Sequence, residues 1–178
     1  MKKALIFGIK PTWDKSNLPS LLFARHLEQK GYEVTYIFDS MSFFHLYKWK
    51  NENKTFIKQF ILSFTSHYMF HKIKCLTSFK LFPMFHKNTI YNFLRENLNF
   101  NYTSKALNNA LQDKYDICWS SSYRQIDEFV KISSHTKIFS IEDNPYGFEV
   151  FEKSFLDIQF NKLKKDENII FFSTSKVK

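Results

Sequence analysis

Glu142 and Asp143 are the residues best suited to acid–base chemistry, a carboxylate pair directly after the short apolar run Lys137–Ile141 (KIFSI). A carboxylate at the mouth of a cleft can take the proton of an acceptor hydroxyl that lies within hydrogen-bond reach. Neighbouring side chains on an extended chain point apart, so the two are not expected to serve one reaction together. Asp143 followed by Asn144 and Pro145 also reads as a turn, and both readings stand. Ser120, Ser121 and Ser122 follow a second run, Tyr115–Trp119 (YDICW). Their hydroxyls can bond sugar or phosphate oxygens, or can cap a helix that starts near Arg124. The Arg124 guanidinium can pair with an anionic ligand. After the first apolar run come Gly8, Trp13 and Asp14 in the stretch GIKPTWD. There an aromatic ring can stack on a sugar and a carboxylate can accept from its hydroxyls. The same two side chains can instead pack over a sheet edge and begin the cap of the next helix.

Other chemistries lack their residues. Only Gly8 stands where a dinucleotide fingerprint needs three spaced glycines, and no GxxxxGK[ST] phosphate loop occurs. His67 and His71 have the i, i+4 spacing that puts metal ligands on one helix face. No third ligand or HExxH accompanies them, so a surface or partly buried pair is expected and no metal. Cys75 and Cys118 match neither a disulfide framework nor a zinc spacing, and no GxSxG elbow is present. No cofactor is expected.

Positioning these residues falls to a chain of 178 residues, 44% hydrophobic, which suits one domain spanning 1–178. The net charge of +9 is concentrated: residues 41–110 hold ten Lys and Arg against Glu52 and Glu96 alone. The same segment has sixteen of the 34 aromatics. Basic and aromatic side chains together suit phosphate-bearing partners, lipid headgroups, or simply a helical lobe with an aromatic core and a lysine surface. No recognition-helix or RNA-binding pattern appears, so no nucleic acid is expected. No apolar run is long enough to span a membrane. The run Ala4–Ile9 stops at Lys10 and Pro11, short of a secretion signal. The expected location is cytoplasmic, free or peripheral on the inner face of the cell membrane.

Lys3–Ile9 predicts a buried strand, 16–30 a helix with Pro19 in its first turn and Gly31 at its end, and Tyr32–Phe38 a second strand. Strand, helix and strand make a right-handed βαβ unit. Phe56, Phe60, Phe64 and Tyr68 recur every four residues, a helical stripe. A loop around Phe79–His86 and a second helix over Asn88–Leu111 follow, with Asn99 and Asn101 as points where that helix can be interrupted. The alternation returns with Tyr115–Trp119 as a strand, a helix over Arg124–Ser133, Lys137–Ile141 as a strand and a helix over 147–165. In that last helix Val150, Phe151, Phe155, Ile158 and Leu163 are expected to face inwards. Asn168–Phe172 is a fifth strand, and Ser175 a cap for one more helix. The pattern predicts an α/β fold, a Rossmann-like parallel sheet with helices on both faces and a helical insertion over 41–110. In such sheets ligands sit beyond the carboxyl ends of the strands.

In order and spacing, KALIFGIKPTWD, LPSLLFARHLEQKGYEVTYIF, KYDICWSSS, KIFSIEDNP and ENIIFFSTSKV resemble the N-terminal, acceptor-side half of a GT-B glycosyltransferase of the family 4 group. The resemblance covers most of the chain outside 41–110. It implies a sugar transferase of cell-surface polysaccharide or lipid-linked glycan synthesis, with this half holding the glycan or lipid-linked acceptor. It also implies that the nucleotide-sugar is bound by a second domain or chain, since the Glu-x7-Glu signature of the donor half is not found. Glu142 stands where many relatives carry a histidine. On this reading Glu142 and Asp143 are catalytic, while Gly8, Trp13, Asp14, Ser120, Ser121, Arg124 and Asn144 bind substrate. Lys48, Lys50, Lys54 and Lys58 face an anionic membrane, each cation near its surface being worth about 1 kcal/mol. The alternative is a non-catalytic membrane- or acceptor-docking subunit, or an inactive truncated product.

Overall fold

The first strand sets the architecture, because its side chains are buried on both faces. Ala4 and Ile6 enter one hydrophobic core, Leu5 and Phe7 the other. A strand buried on both faces must lie inside a sheet covered by helices on each side. The computed structural model describes residues 1–8, 18–39, 41–42, 54–80, 101–141 and 153–173. Its elements run β1 (Lys3–Gly8), α1 (Pro19–Gln29), β2 (Glu33–Phe38), β3 (Met41–Ser42), α2 (Lys54–Thr65), β4 (Tyr68–Phe70), β5 (Ile73–Leu76), β6 (Phe79–Lys80) and β7 (Asn101–Tyr102). Then come α3 (Lys105–Gln112), β8 (Lys114–Ser120), a 3-10 turn (Tyr123–Gln125), α4 (Ile126–Phe129), β9 (Ser133–Ile141), α5 (Lys153–Lys164) and β10 (Ile169–Ser173).

The main sheet has seven strands in the order β10-β9-β8-β1-β2-β5-β4. Every pair is parallel except β4–β5. Renumbered in chain order, the six parallel strands read 3-2-1-4-5-6, the doubly wound order of a Rossmann-like sheet. Helices α1 and α2 send Ala24, Leu27 and Phe64 onto the core of Ala4 and Ile6. Helices α3, α4 and α5 send Leu107, Phe129 and Leu163 onto the core of Leu5 and Phe7. The expected α/β fold, with helices on both faces, is therefore what forms. Pro19 occupies the first turn of α1, and Gly31 closes the helix at φ 84°. The N–H groups of Gly31 and Tyr32 bond back to the carbonyls of Glu28 and Leu27 at 3.0 and 3.1 Å, a closure that needs the left-handed conformation.

The middle segment departs from the helical reading. Its periodic stripe stops at Thr65, and Tyr68 opens a strand instead. From there the burial alternates: Tyr68 and Phe70 lean on the core while Met69 is exposed, and the chain turns at His71, φ 53°. Ile73 and Cys75 then bury fully on β5. The i, i+4 spacing of His67 and His71 thus spans a strand, and the two share no helix face. Phe79–Lys80, expected in a loop, pairs with β3 on one side and on the other with Asn101–Tyr102, where the expected helix is interrupted, in a small second sheet. Helix α3 begins only at Lys105, where Ser104 Oγ accepts the N–H of Leu107 at 3.2 Å.

Two further boundaries move. Strand β9 starts at Ser133, since Ser133–Thr136 continue its parallel register with β8; their polar sequence gives no apolar signal. The preceding helix shortens accordingly. In α5, Leu163 is buried as expected and Ile158 is not, at 54% exposure. Residues 9–17, 81–100, 142–152 and 174–178, with the expectations that fall on them, lie outside the described residues.

Edge strand β10 leaves Ile170, Phe171 and Phe172 about half exposed, at 57, 45 and 55%. It pairs with β9 in unbroken register over five residues, and its own sequence, IIFFS, has no lysine or proline that would blunt the edge. Phe172→Lys is therefore expected to suppress aggregation at high concentration while changing stability by no more than about 0.5 kcal/mol. Light scattering together with a thermal melt checks both halves of this expectation.

Candidate functional site at the carboxyl ends of β1 and β8

Strand order reverses between β1 and β8. The crossover from β1 leads one way across the sheet and that from β8 the other, which opens a crevice at their carboxyl ends. Four stretches meet there: Gly8 after β1, Asp39 after β2, Thr77 after β5, and Ser120–Arg124 after β8. The N–H of Asp39 donates to the Gly8 carbonyl at 3.2 Å, carrying the ladder one residue past β2. Thr77 Oγ1 lies 3.1 and 3.0 Å from the carbonyls of Phe38 and Asp39, fixing the backbone under the carboxylate.

The Asp39 side chain then reaches across the reversal. Ser122 Oγ donates to Asp39 Oδ1 at 2.8 Å, and Arg124 Nη1 meets Asp39 Oδ2 at 3.4 Å. Asp39 is 14% exposed and Arg124 36%, so the carboxylate is largely enclosed and the arginine side chain is partly exposed beside it. Ser120 is fully buried, and its Oγ accepts the N–H of Ser122 at 3.1 Å, shaping the turn that aims Ser122 at Asp39. Ser121 is half-buried beside it. Gln125, next along, is 6% exposed, and its side-chain oxygen has no hydrogen-bond partner among the described residues. The cluster sets hydroxyls, an amide oxygen and a guanidinium from one turn of chain beside the Asp39 carboxylate from another.

Gly8 has a packing reason. A Cβ there would run into Tyr36 Oη and lie 2.7 Å from Ser20 Oγ. Those two atoms share a buried 2.8 Å hydrogen bond that clamps α1 to β2 over β1.

Of the residues chosen from sequence, Gly8, Ser120, Ser121 and Arg124 come together at this crest. Trp13, Asp14, Glu142, Asp143, Asn144, Lys48 and Lys50 lie outside the described residues. Lys54 opens α2, and Lys58 is exposed on it. The sequence reading missed Asp39 and Ser122 as partners. The signal for Asp39 was its place directly after the second strand of a βαβ unit, where a carboxylate reaches the neighbouring crest.

Elsewhere the chemistry is quiet. Among the described residues no three His, Cys, Asp or Glu are grouped to hold a metal. Burial pushes both cysteine thiols up, and Cys75 and Cys118 sit in separate cores on opposite faces of the sheet. A small polar cavity of about 90 Å³ lies at the opposite, amino end of the strands, between Lys3, Glu33, Lys74 and Asp113. Lys3 Nζ bridges Asp113 there at 2.6 Å. The Lys3 hydrogen bond and the Lys114 N–H hold the Asp113 carboxyl below its ordinary value.

No family model, curated protein or solved structure matches the chain.

Proposed function

We propose that the chain is the acceptor-binding half of a GT-B-like glycosyltransferase, and that the crest at β1 and β8 holds a hydroxyl-rich ligand. The observation that carries this reading is the convergence of Asp39, Ser122 and Arg124 where the strand order reverses. A carboxylate accepts hydrogen bonds, a serine hydroxyl donates or accepts, and a guanidinium, with five N–H groups, donates to ring or phosphate oxygens as well as to Asp39. Sugars need that mixture. A dinucleotide would need backbone amides presented by spaced glycines, and the stretch from the end of β1 to the start of α1 contains Gly8 alone. The segments that resemble the glycosyltransferase half contain β1, α1, β2, β8, the carboxyl-terminal part of β9, and β10, the strands and helix that flank the crest and continue the sheet on the β8 side. On this reading the nucleotide-sugar comes from a second domain or chain, and the task of this one is to hold the acceptor.

The test is ligand-observed NMR with a panel of alkyl glycosides against the wild type, Asp39→Asn and Arg124→Ala. Loss of a charge-assisted hydrogen bond is expected to weaken binding at least about tenfold while circular dichroism stays native. Glycosides that bind neither protein, or bind all three alike, remove the crest from sugar recognition.

A further inference from the structure

Helix α2 supports the crest through the Ser63 carbonyl, which accepts the Thr77 N–H at 3.0 Å, and its outer face is unusual. Phe64 turns inwards against Phe79 and Tyr102, with ring centroids 5.5 and 6.2 Å away, and Ser63 is fully buried. The opposite face carries Lys58, Ile61, Leu62 and Thr65, at the i, i+3, i+4, i+7 spacing of one helical stripe, and all four are exposed. Ile61 and Leu62 stand 43 and 37% open to solvent, two adjacent exposed aliphatic side chains. The chain then passes exposed His67 into the hairpin of β4 and β5, whose turn shows His71 and Lys72.

Charge says what would cover this face. From Asn53 to Arg95 the sequence has no aspartate or glutamate at all, while Lys and Arg occur seven times. A run of 43 residues without a carboxylate gives the α2–β4 edge of the sheet one sign of charge. Lys74 is the exception in the hairpin, since its side chain shares the amino-end cavity with Glu33 and Asp113. Lys58 stands on the aliphatic stripe itself, and Lys72 is exposed in the turn of the hairpin that follows.

We propose that the outer face of α2 and the β4–β5 turn form a docking surface for an anionic lipid bilayer. Two features select lipid over nucleic acid. Ile61 and Leu62 have no flat π-face for a base to stack on, whereas aliphatic side chains bury at the boundary between headgroups and acyl chains. The surrounding lysines then meet lipid phosphates, and both terms act together. The surface does not depend on the sugar-transfer reading.

The test is co-sedimentation of the full chain with vesicles of phosphatidylcholine alone and of phosphatidylcholine mixed with phosphatidylglycerol, at low and high salt. Binding is expected only to the anionic vesicles. Lys58→Glu with Lys72→Glu is expected to weaken it at least about tenfold. Ile61→Ser with Leu62→Ser, at exposed positions where the fold tolerates change, is expected to weaken it several-fold and to leave the salt dependence in place. Lys131→Glu with Lys164→Glu, exposed on the other side of the sheet, is expected to bind as the wild type does. Equal affinity for neutral and anionic vesicles, or charge-reversed variants that sediment like the wild type, overturns the proposal. So does tighter retention on duplex or single-stranded DNA, with the serine variant unaffected, which would assign the surface to nucleic acid.

Discussion

Gly8→Ala is expected to destabilise the protein by at least about 1–3 kcal/mol, the usual range for forcing one extra carbon into a filled core. The added Cβ meets Tyr36 Oη and the Oγ and Cβ of Ser20, the last two at 2.7 and 2.8 Å. Ser20 and Tyr36 are themselves buried, so neither can swing into solvent to make room. Either α1 lifts from the sheet or the Ser20–Tyr36 hydrogen bond breaks, and a broken buried pair leaves two polar atoms without compensation. The melting temperature should fall by several degrees for a chain of this size. Tyr36→Phe in the Gly8→Ala background removes the nearest obstructing atom and is expected to recover part of the loss, although on its own it is destabilising. That reversal of sign is the signature of the clash. A Gly8→Ala protein as stable as wild type, but weakened in ligand binding, would instead make Gly8 a point of close ligand approach.

Asp166→Ala should be the other large loss, about 3–5 kcal/mol, because it strands a buried ammonium. Lys137 lies on β9 at 9% side-chain exposure, and its Nζ donates to Asp166 Oδ2 and to the Val130 carbonyl, each at 2.7 Å. One cation thereby ties the end of α4 to the turn that enters β10. Burial pushes the Asp166 carboxyl up, but the Lys137 hydrogen bond, the Asn168 N–H and the Lys137 charge outweigh it. The net result is a carboxyl held below its ordinary value. A carboxyl lowered by folding contributes stability that is complete above its unfolded value, about 3.9, and is lost as pH falls through the folded value. Urea midpoints at pH 7 and pH 3 should therefore differ more for the wild type than for Asp166→Asn. Equal pH dependence in the two would mean that the pair carries no linkage. Lys137→Met is expected to cost less than Asp166→Ala, since the aspartate left behind is 19% exposed and can hydrate.

Both experiments act on features that sequence reading reached only halfway. Gly8 was visible as a lone glycine at a strand end, but its reason is two side chains, at positions 20 and 36, that the βαβ crossover folds back onto it. Lys137 was read as the first residue of an apolar strand. Its burial follows from β9 beginning at Ser133, and the polar stretch Ser133–Thr136 carries no hydrophobic signal to show that. The middle segment misled for a related reason: Phe56, Phe60, Phe64 and Tyr68 hold a period of four, yet helix and strand meet at Thr65–Tyr68. Three residues of hairpin strand are too few to register as alternation against a longer helical stripe.

What the amino-acid sequence settled alone was local and periodic. Apolar runs of five or six residues, a proline in the first turn of α1 and a glycine after its end led to the alternation of strands and helices, and so to a parallel sheet covered on both faces. These are short-range signals, written in neighbouring residues. Which strands lie side by side, and which loops therefore meet, is a matter of long-range pairing. Asp39 and Ser122 are 83 positions apart, and only the reversal of strand order between β1 and β8 brings the carboxylate within 2.8 Å of the hydroxyl. The outer face of α2 divides the same way: its residue types are plain in the sequence, but packing Phe64 inwards decides that Lys58, Ile61 and Leu62 face out.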